Sequence, residues 1–205
     1  MKRALDVIGS ALGLVIGSPV VLVAAIAVKL DSPGPAFYCA VRVGRHGRPF
    51  RILKVRTMRL NANQQGPAVT AIDDPRVTPV GRVLRRFKLD EIPQLLNVLK
   101  GDMSLVGPRP EHPEYVARYT PEHRRVLDMR PGITGASSIA FIDEEEILKG
   151  GDAEATYLKD VMQEKLAVDL KYVETASVAG DIRILGQTVL LLVRRLFTSR
   201  KHAGR

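Results

Sequence analysis

At 205 residues the chain has room for one domain and an anchor, and two full domains would be tight. Hydrophobic content of 45% beside 26% charged residues supports an ordinary packed core, and the single cysteine, Cys39, excludes an internal disulfide framework and reads as a small packing residue. The net charge of +9 is concentrated: from Lys29 to Lys88 there are thirteen Lys/Arg against three acids, which points to phosphate as a partner.

From Ala4 to Val28 the chain is almost wholly apolar, long enough to reach across a bilayer at about 20 residues per spanning helix. The run is longer than a signal-peptide core, and Lys29 follows it instead of a small-residue cleavage site, so an anchor is expected over a cleaved leader. Leu5 to Gly17 reads as one helical piece and Val20 to Leu30 as a second, with Ser18-Pro19 between them. Pro19 removes an intrahelical hydrogen bond, and the Ser18 hydroxyl can serve a freed carbonyl. A straight span would put Lys2 and Arg3 on one side and the basic domain on the other, against the positive-inside bias. A kinked, re-entrant segment keeps both on one side and is the favoured expectation over a tilted span.

The breaker cluster from Asp31 to Pro35 ends the anchor, so residues 1–30 are expected as anchor and 31–205 as the domain that follows it. Ala36 to Val43 and Pro49 to Met58 read as strands around a turn. Residues 61–79 are polar and turn-rich and are expected as a loop or lid. Helices are expected over Val80–Phe87, Pro93–Leu99, Pro121–Asp128 and Ala153–Val173. Ile182 to Phe197 is apolar on most sides but short for a span, so a core or interfacial helix is expected. The class is therefore α+β, mostly helical, with short strands.

The densest cluster of reactive groups runs from Arg85 to Gln94. Asp90 and Glu91 sit before a helix that Pro93 is expected to open, and acids there complement the helix dipole. They are also a carboxylate pair among cations: Asp90 as nucleophile or metal ligand, Glu91 as second ligand or proton acceptor. Magnesium suits one or two carboxylates plus phosphate oxygens. Arg109, between Pro108 and Pro110, is presented from a stiff turn and suits bidentate phosphate contacts, or else pairs with a neighbouring acid. Strand alternation puts Lys54 and Arg56 on one face, as candidates for substrate phosphate or as a solvated basic face with Arg59. The acidic run from Asp143 to Glu146 reads as a solvated helix start.

Five segments occur in order: DSPGP (Asp31–Pro35), KVRTM (Lys54–Met58), LDEIPQ (Leu89–Gln94), NVLKGDMSLVGPRP (Asn97–Pro110) and RPGITG (Arg130–Gly135). Together they resemble the bacterial sugar transferases, the monotopic phosphoglycosyl transferases that begin glycan assembly on a lipid carrier. The resemblance implies a transfer of sugar-1-phosphate from a UDP-sugar to polyprenol (undecaprenyl) phosphate, with release of UMP. It implies a phosphosugar intermediate on Asp90, with Glu91 its catalytic partner. Arg85 and Arg109 fall on the family's arginines, Ser18-Pro19 on its helix-breaking pair, and magnesium is the implied cofactor. The implied location is the bacterial inner membrane, with the catalytic domain on the cytoplasmic face. Two stretches depart from the pattern: Ala40 stands where a glutamine is common, and Ala136 to Glu146 (ASSIAFIDEEE) replaces the usual Trp-Ala-Gln-Val-Asn-Gly-Arg.

Membrane lipid is an expected partner, and a homodimer is admitted. Nucleic acid is not expected, since aromatic content of 5% without tryptophan offers little for base stacking. The alternative to an enzyme is a non-catalytic basic protein at the membrane surface that binds anionic lipid or a partner. That role would need no acid pair.

Overall fold

The computed structural model describes residues 1–202; the last three residues of the expected domain lie outside it. One helix, α1 (Lys2–Asp31), runs without interruption through Pro19. The expected division into two helical pieces is corrected: Ser18-Pro19 does not end the helix. Proline at position 19 leaves the Val15 carbonyl without its backbone donor, and the Ser18 hydroxyl donates to that oxygen at 3.1 Å. The hydroxyl supplies locally what the proline withholds.

At 1.5 Å per residue α1 is about 45 Å long, and it lies against the rest of the molecule from end to end. Gly9, Gly13 and Gly17 recur every fourth residue, and Leu105, Leu95 and Ile92 fill the space their side chains would take. At the N-terminal end Lys2 donates to Val106 O (2.9 Å) and pairs with Asp181 (2.5 Å), while Arg3 donates to the carbonyls of Val98 and Leu99. Further along, Ala24 and Val28 pack with Val55 and Leu84. The opposite face is apolar and open, with Val15 and Ile16 about three-quarters exposed. Among the described residues α1 is the one helix long and apolar enough to cross a membrane.

Strands β1 (Phe37–Val43) and β2 (Pro49–Val55) form the expected antiparallel hairpin, pairing Tyr38 with Lys54 and Arg42 with Phe50. Cys39 on β1 is exposed, so it is not the packing residue expected. The 61–79 segment is no free lid. Arg76 is buried there, pairs with Asp74 at 2.7 Å and donates to the carbonyls of Ala62, Pro67 and Val69. That ion pair holds the Asp74 carboxyl below its ordinary range despite burial pushing it the other way.

Helix α2 (Pro79–Arg86) is capped by Thr78, whose hydroxyl accepts from Gly81 N. A 3-10 turn (Leu89–Gln94) precedes α3 (Leu95–Lys100), so Pro93 lies inside the turn instead of opening the helix. Strand β3 (Ser104–Val106) pairs in parallel with β4 (Gly132–Thr134), with α4 (Pro113–Val116) between them in sequence. The helix expected over Pro121–Asp128 is a 3-10 turn from His123 to Asp128. Short helices α5 (Ala136–Ala140) and α6 (Glu144–Ile147) follow. Then α7 (Ala153–Thr156) passes through a π turn (Tyr157–Val161) into α8 (Met162–Thr175). Helix α9 (Val178–His202) closes the described chain with Ile182, Val189, Leu190 and Val193 exposed, so its apolar stripe is not core. The largest core cluster joins Tyr115, Tyr157, Val161 and Leu166 beneath α8.

Candidate active site

Lys88 takes the left-handed conformation (φ 56°) that starts the 3-10 turn, and Asp90 and Glu91 follow, both nearly inaccessible. The two neighbours are treated very differently. Glu91 Oε1 accepts from Lys54 Nζ at 3.1 Å and from Arg109 Nη2 at 2.9 Å. Burial alone would raise its pKa, but Arg109, Lys54 and Lys88 hold the carboxyl well below the usual range. Asp90 Oδ1 is buried and has no hydrogen-bond partner. Burial pushes the Asp90 carboxyl above its ordinary value, the Glu91 charge adds to the push, and Lys54, Arg85 and Lys88 oppose it.

The cations come from three parts of the chain. Lys54, the last residue but one of β2, lies beside Tyr38 on the hairpin, and its ammonium is destabilised by burial and supported by Glu91. Arg109 comes from the turn after β3, and its affinity for the proton is raised by Glu91. That turn is set by close backbone contact: a side chain on Gly135 would meet Gly107 O at 2.1 Å, and Gly132 N donates to Pro108 O at 2.9 Å. Pro110 lies beside Arg109 in the wall of a small cleft. Arg85, in the last turn of α2, acts on Asp90 electrostatically, while its Nε and Nη2 both donate to Glu145 Oε1 (2.9 and 2.7 Å).

Arg56 is the clear correction among the expected phosphate ligands. Its guanidinium is buried and donates to the carbonyls of Val28, Ser32 and Pro33. It closes the C-terminal end of α1, where unpaired carbonyls favour a cation. The acidic run is also more than a solvated helix start. Asp143 pairs with Arg195, Glu144 with Lys165 (2.5 Å) and Glu145 with Arg85.

Three contributors escape sequence reading. Glu145 gives no local sign of its partner on α2. Arg42 lies on the hairpin face shared with Lys54, close enough to Arg109 and Glu111 to feel both, and burial lowers its pKa. Glu111 accepts from the Tyr157 hydroxyl, which burial and that carboxylate keep protonated to well above the ordinary tyrosine range.

No group of three or more His, Cys, Asp or Glu among the described residues forms a ready-made metal cage. The donor set is one free carboxylate, Asp90, beside Glu91, whose Oε1 already serves two cations. That fits magnesium held by one or two carboxylates together with the oxygens of a phosphorylated substrate.

A buried carboxylate with one oxygen unpartnered, in the field of Lys54, Arg85 and Lys88 and beside an acid held by Lys54 and Arg109, is the kind of cluster that can handle phosphoryl groups. The chain belongs to the bacterial sugar transferase family, whose model matches residues 1–195. It is 44% identical over 193 residues to the UDP-glucose:undecaprenyl-phosphate glucose-1-phosphate transferase of Caulobacter vibrioides, covering 92% of this chain and 68% of that protein. It is 37% identical to the UDP-N-acetylgalactosamine-undecaprenyl-phosphate N-acetylgalactosaminephosphotransferase of Aeromonas hydrophila, spanning 43% of it. Identity is also 37% to the UDP-glucose:undecaprenyl-phosphate glucose-1-phosphate transferase of Escherichia coli K12, of which the chain spans 39%. The match thus covers two-thirds of the first relative and about two-fifths of the other two.

Proposed function

We propose that this chain transfers a sugar-1-phosphate from a UDP-sugar to polyprenol phosphate. An Asp90 oxygen attacks the phosphorus that bears the sugar, the bond to the bridging oxygen breaks, and UMP leaves with the electron pair. A phosphate oxygen of polyprenol phosphate then attacks the same phosphorus and frees the Asp90 carboxylate, leaving a polyprenyl diphosphate sugar. The observation that carries this reading is Asp90 itself: buried, with Oδ1 lacking any hydrogen-bond partner, and next to a carboxylate whose cations hold it in place. Lys54 and Arg109 hold Glu91 as an anion beside the reacting centre, and Arg85 supplies positive charge toward the donor phosphates. Magnesium, with Asp90 and the substrate oxygens as its ligands, would neutralise further charge on the transferring group.

The membrane part of the proposal is a re-entrant anchor. Both ends of α1 are tied to the same body, and its open face is apolar. A helix crossing the bilayer would carry one of those ends away. A groove of about 500 Å³ between α1 and α2, lined by Pro19, Val23, Ala24, Val80 and Leu89, the residue before Asp90 in sequence, suits an isoprenoid chain. We place this activity at the cytoplasmic face of a bacterial inner membrane, as the first membrane-bound step of polysaccharide synthesis.

Incubating the protein with a panel of UDP-sugars and polyprenol phosphate tests the reading. UMP should appear with at least one donor, and a labelled sugar phosphate should be trapped on the wild-type chain but not on Asp90→Asn. UMP release that persists in Asp90→Asn would remove Asp90 as nucleophile.

A further inference from the structure

Arg85 stands in the last turn of α2, but its guanidinium is held by a residue 60 positions further along the chain. Its Nε and Nη2 both donate to Glu145 Oε1, at 2.9 and 2.7 Å. These bonds take up one edge of the guanidinium; its other nitrogen, Nη1, makes no hydrogen bond among the described residues. The backbone carries the placement on to the acid pair. Lys88 N donates to Arg85 O at 3.1 Å, and Glu91 N donates to Lys88 O at 3.2 Å.

Glu145 is itself a fixed support. Its carbonyl accepts from Ile72 N at 2.8 Å. Beside it Glu144 pairs with buried Lys165 at 2.5 Å, and Asp143 pairs with Arg195. Leu148, just past α6, is buried in the largest core cluster. The short helix is thus tied to the 61–79 segment, to α8 and to α9, and from that platform it offers one carboxylate to α2. An arginine with a free side chain loses rotamer freedom when it binds a phosphate, and affinity falls by that loss. A guanidinium gripped along one edge has lost most of that freedom on folding.

We infer that Glu145 is a positioning residue, which grips Arg85 by one edge and so presents the other to the phosphates of the nucleotide-sugar donor. The inference rests on the proposed transfer reading for what Arg85 contacts. Charge alone predicts the reverse effect, because an anion near a phosphate site opposes the ligand and its removal should tighten binding. The sign of the change therefore separates positioning from field.

The test uses the full chain in detergent micelles, with UDP as the probe titrated by calorimetry and UMP release from the UDP-sugar panel as the rate. Glu145→Ala should weaken UDP binding about tenfold, the scale of a lost hydrogen bond to a charged group, and lower kcat/KM by a similar factor. Glu145→Gln keeps an acceptor oxygen and should weaken binding about threefold; it carries the comparison if Glu145→Ala does not fold. Both variants keep the carbonyl that Ile72 N bonds. In an Arg85→Ala background neither change should weaken binding further. A loss that persists undiminished in that background would mean a general structural role and overturn the inference. Tighter binding would overturn it too, since the carboxylate would then compete with phosphate for Arg85. A wild-type chain that binds UDP and releases UMP while both Glu145 variants match it leaves the transfer reading standing and removes this one. A wild-type chain that neither binds UDP nor releases UMP overturns both.

Discussion

Two regions of this molecule bury several charges each, and they do so in opposite ways. At the N-terminal end of α1, Asp6 is buried and accepts from Ser104 Oγ (2.9 and 3.0 Å) and Leu105 N (2.9 Å). Beside it Lys2 pairs with Asp181, which also accepts from Tyr172. Each of those groups has a partner. In the 3-10 turn, Glu91 has two cations while Asp90 Oδ1 has nothing. An unpartnered buried oxygen is costly. The fully matched region is a dock that fixes the apolar helix to the domain. The mismatched one leaves an Asp90 oxygen without a hydrogen bond, beside neighbours that satisfy each other, as the proposed nucleophile requires.

Four substitutions would break or sharpen that contrast. The largest effect is expected from Asp90→Asn. UMP release should fall by three orders of magnitude or more, roughly the scale for loss of a nucleophile. The melting temperature should hold or rise, because a carboxyl already pushed toward its neutral form gives up little when replaced by an amide. A large drop in both would make Asp90 a structural residue like Asp6.

Asp6→Ala should behave in the opposite sense. Two donors lose their acceptor, the buried Ser104 hydroxyl and Leu105 N, so unfolding in detergent should report a loss of about 3 kcal/mol. Activity per folded molecule should fall far less than for Asp90→Asn. If stability is unchanged, the match at the N-terminal dock contributes nothing.

Lys54→Ala should lower kcat about tenfold at neutral pH, the usual scale for losing one charge contact at the reacting centre. It should also change the pH profile. In the proposed reaction Asp90 attacks as the carboxylate, so activity should be lost as pH falls through its raised pKa. The Lys54 cation pulls that pKa down; without it the acid limb moves to higher pH. A limb that stays in place would separate Lys54 from Asp90. Stability is also lost toward acid at Glu91, whose pKa is depressed on folding. Its contribution is present above its unfolded pKa and is lost as pH falls through the lower, folded one.

Ser18→Ala is the smallest change. It returns the Val15 carbonyl to its unpartnered state beside Pro19, and a loss of about 0.5–1 kcal/mol is expected, measured by thermal unfolding. A larger loss would make this one hydroxyl a main support of the helix.

Much of the fold was legible because it is local. The apolar run of α1, the β1–β2 hairpin and the long helix through α7 and α8 follow from periodicity and breaker residues over a few turns. Strands β3 and β4 were not legible, since three residues each, among prolines and glycines, make no alternating pattern, and only their pairing creates them. The π turn and the 3-10 turn around Asp90 are likewise consequences of packing.

The sequence by itself determined that an apolar helix would meet a basic domain, that Ser18 could serve the carbonyl freed by Pro19, and that Asp90 and Glu91 would stand side by side. These depend on chain neighbours. Tertiary structure alone decided which acid of the pair is free. It also sent Lys54 to Glu91 and Arg56 to the end of α1, although they are two residues apart. It joined Glu145 to Arg85, and Asp169 to Ser137, across long stretches of chain. A buried charge takes the partner that folding brings within about 3 Å, and that distance is not written in the spacing along the chain.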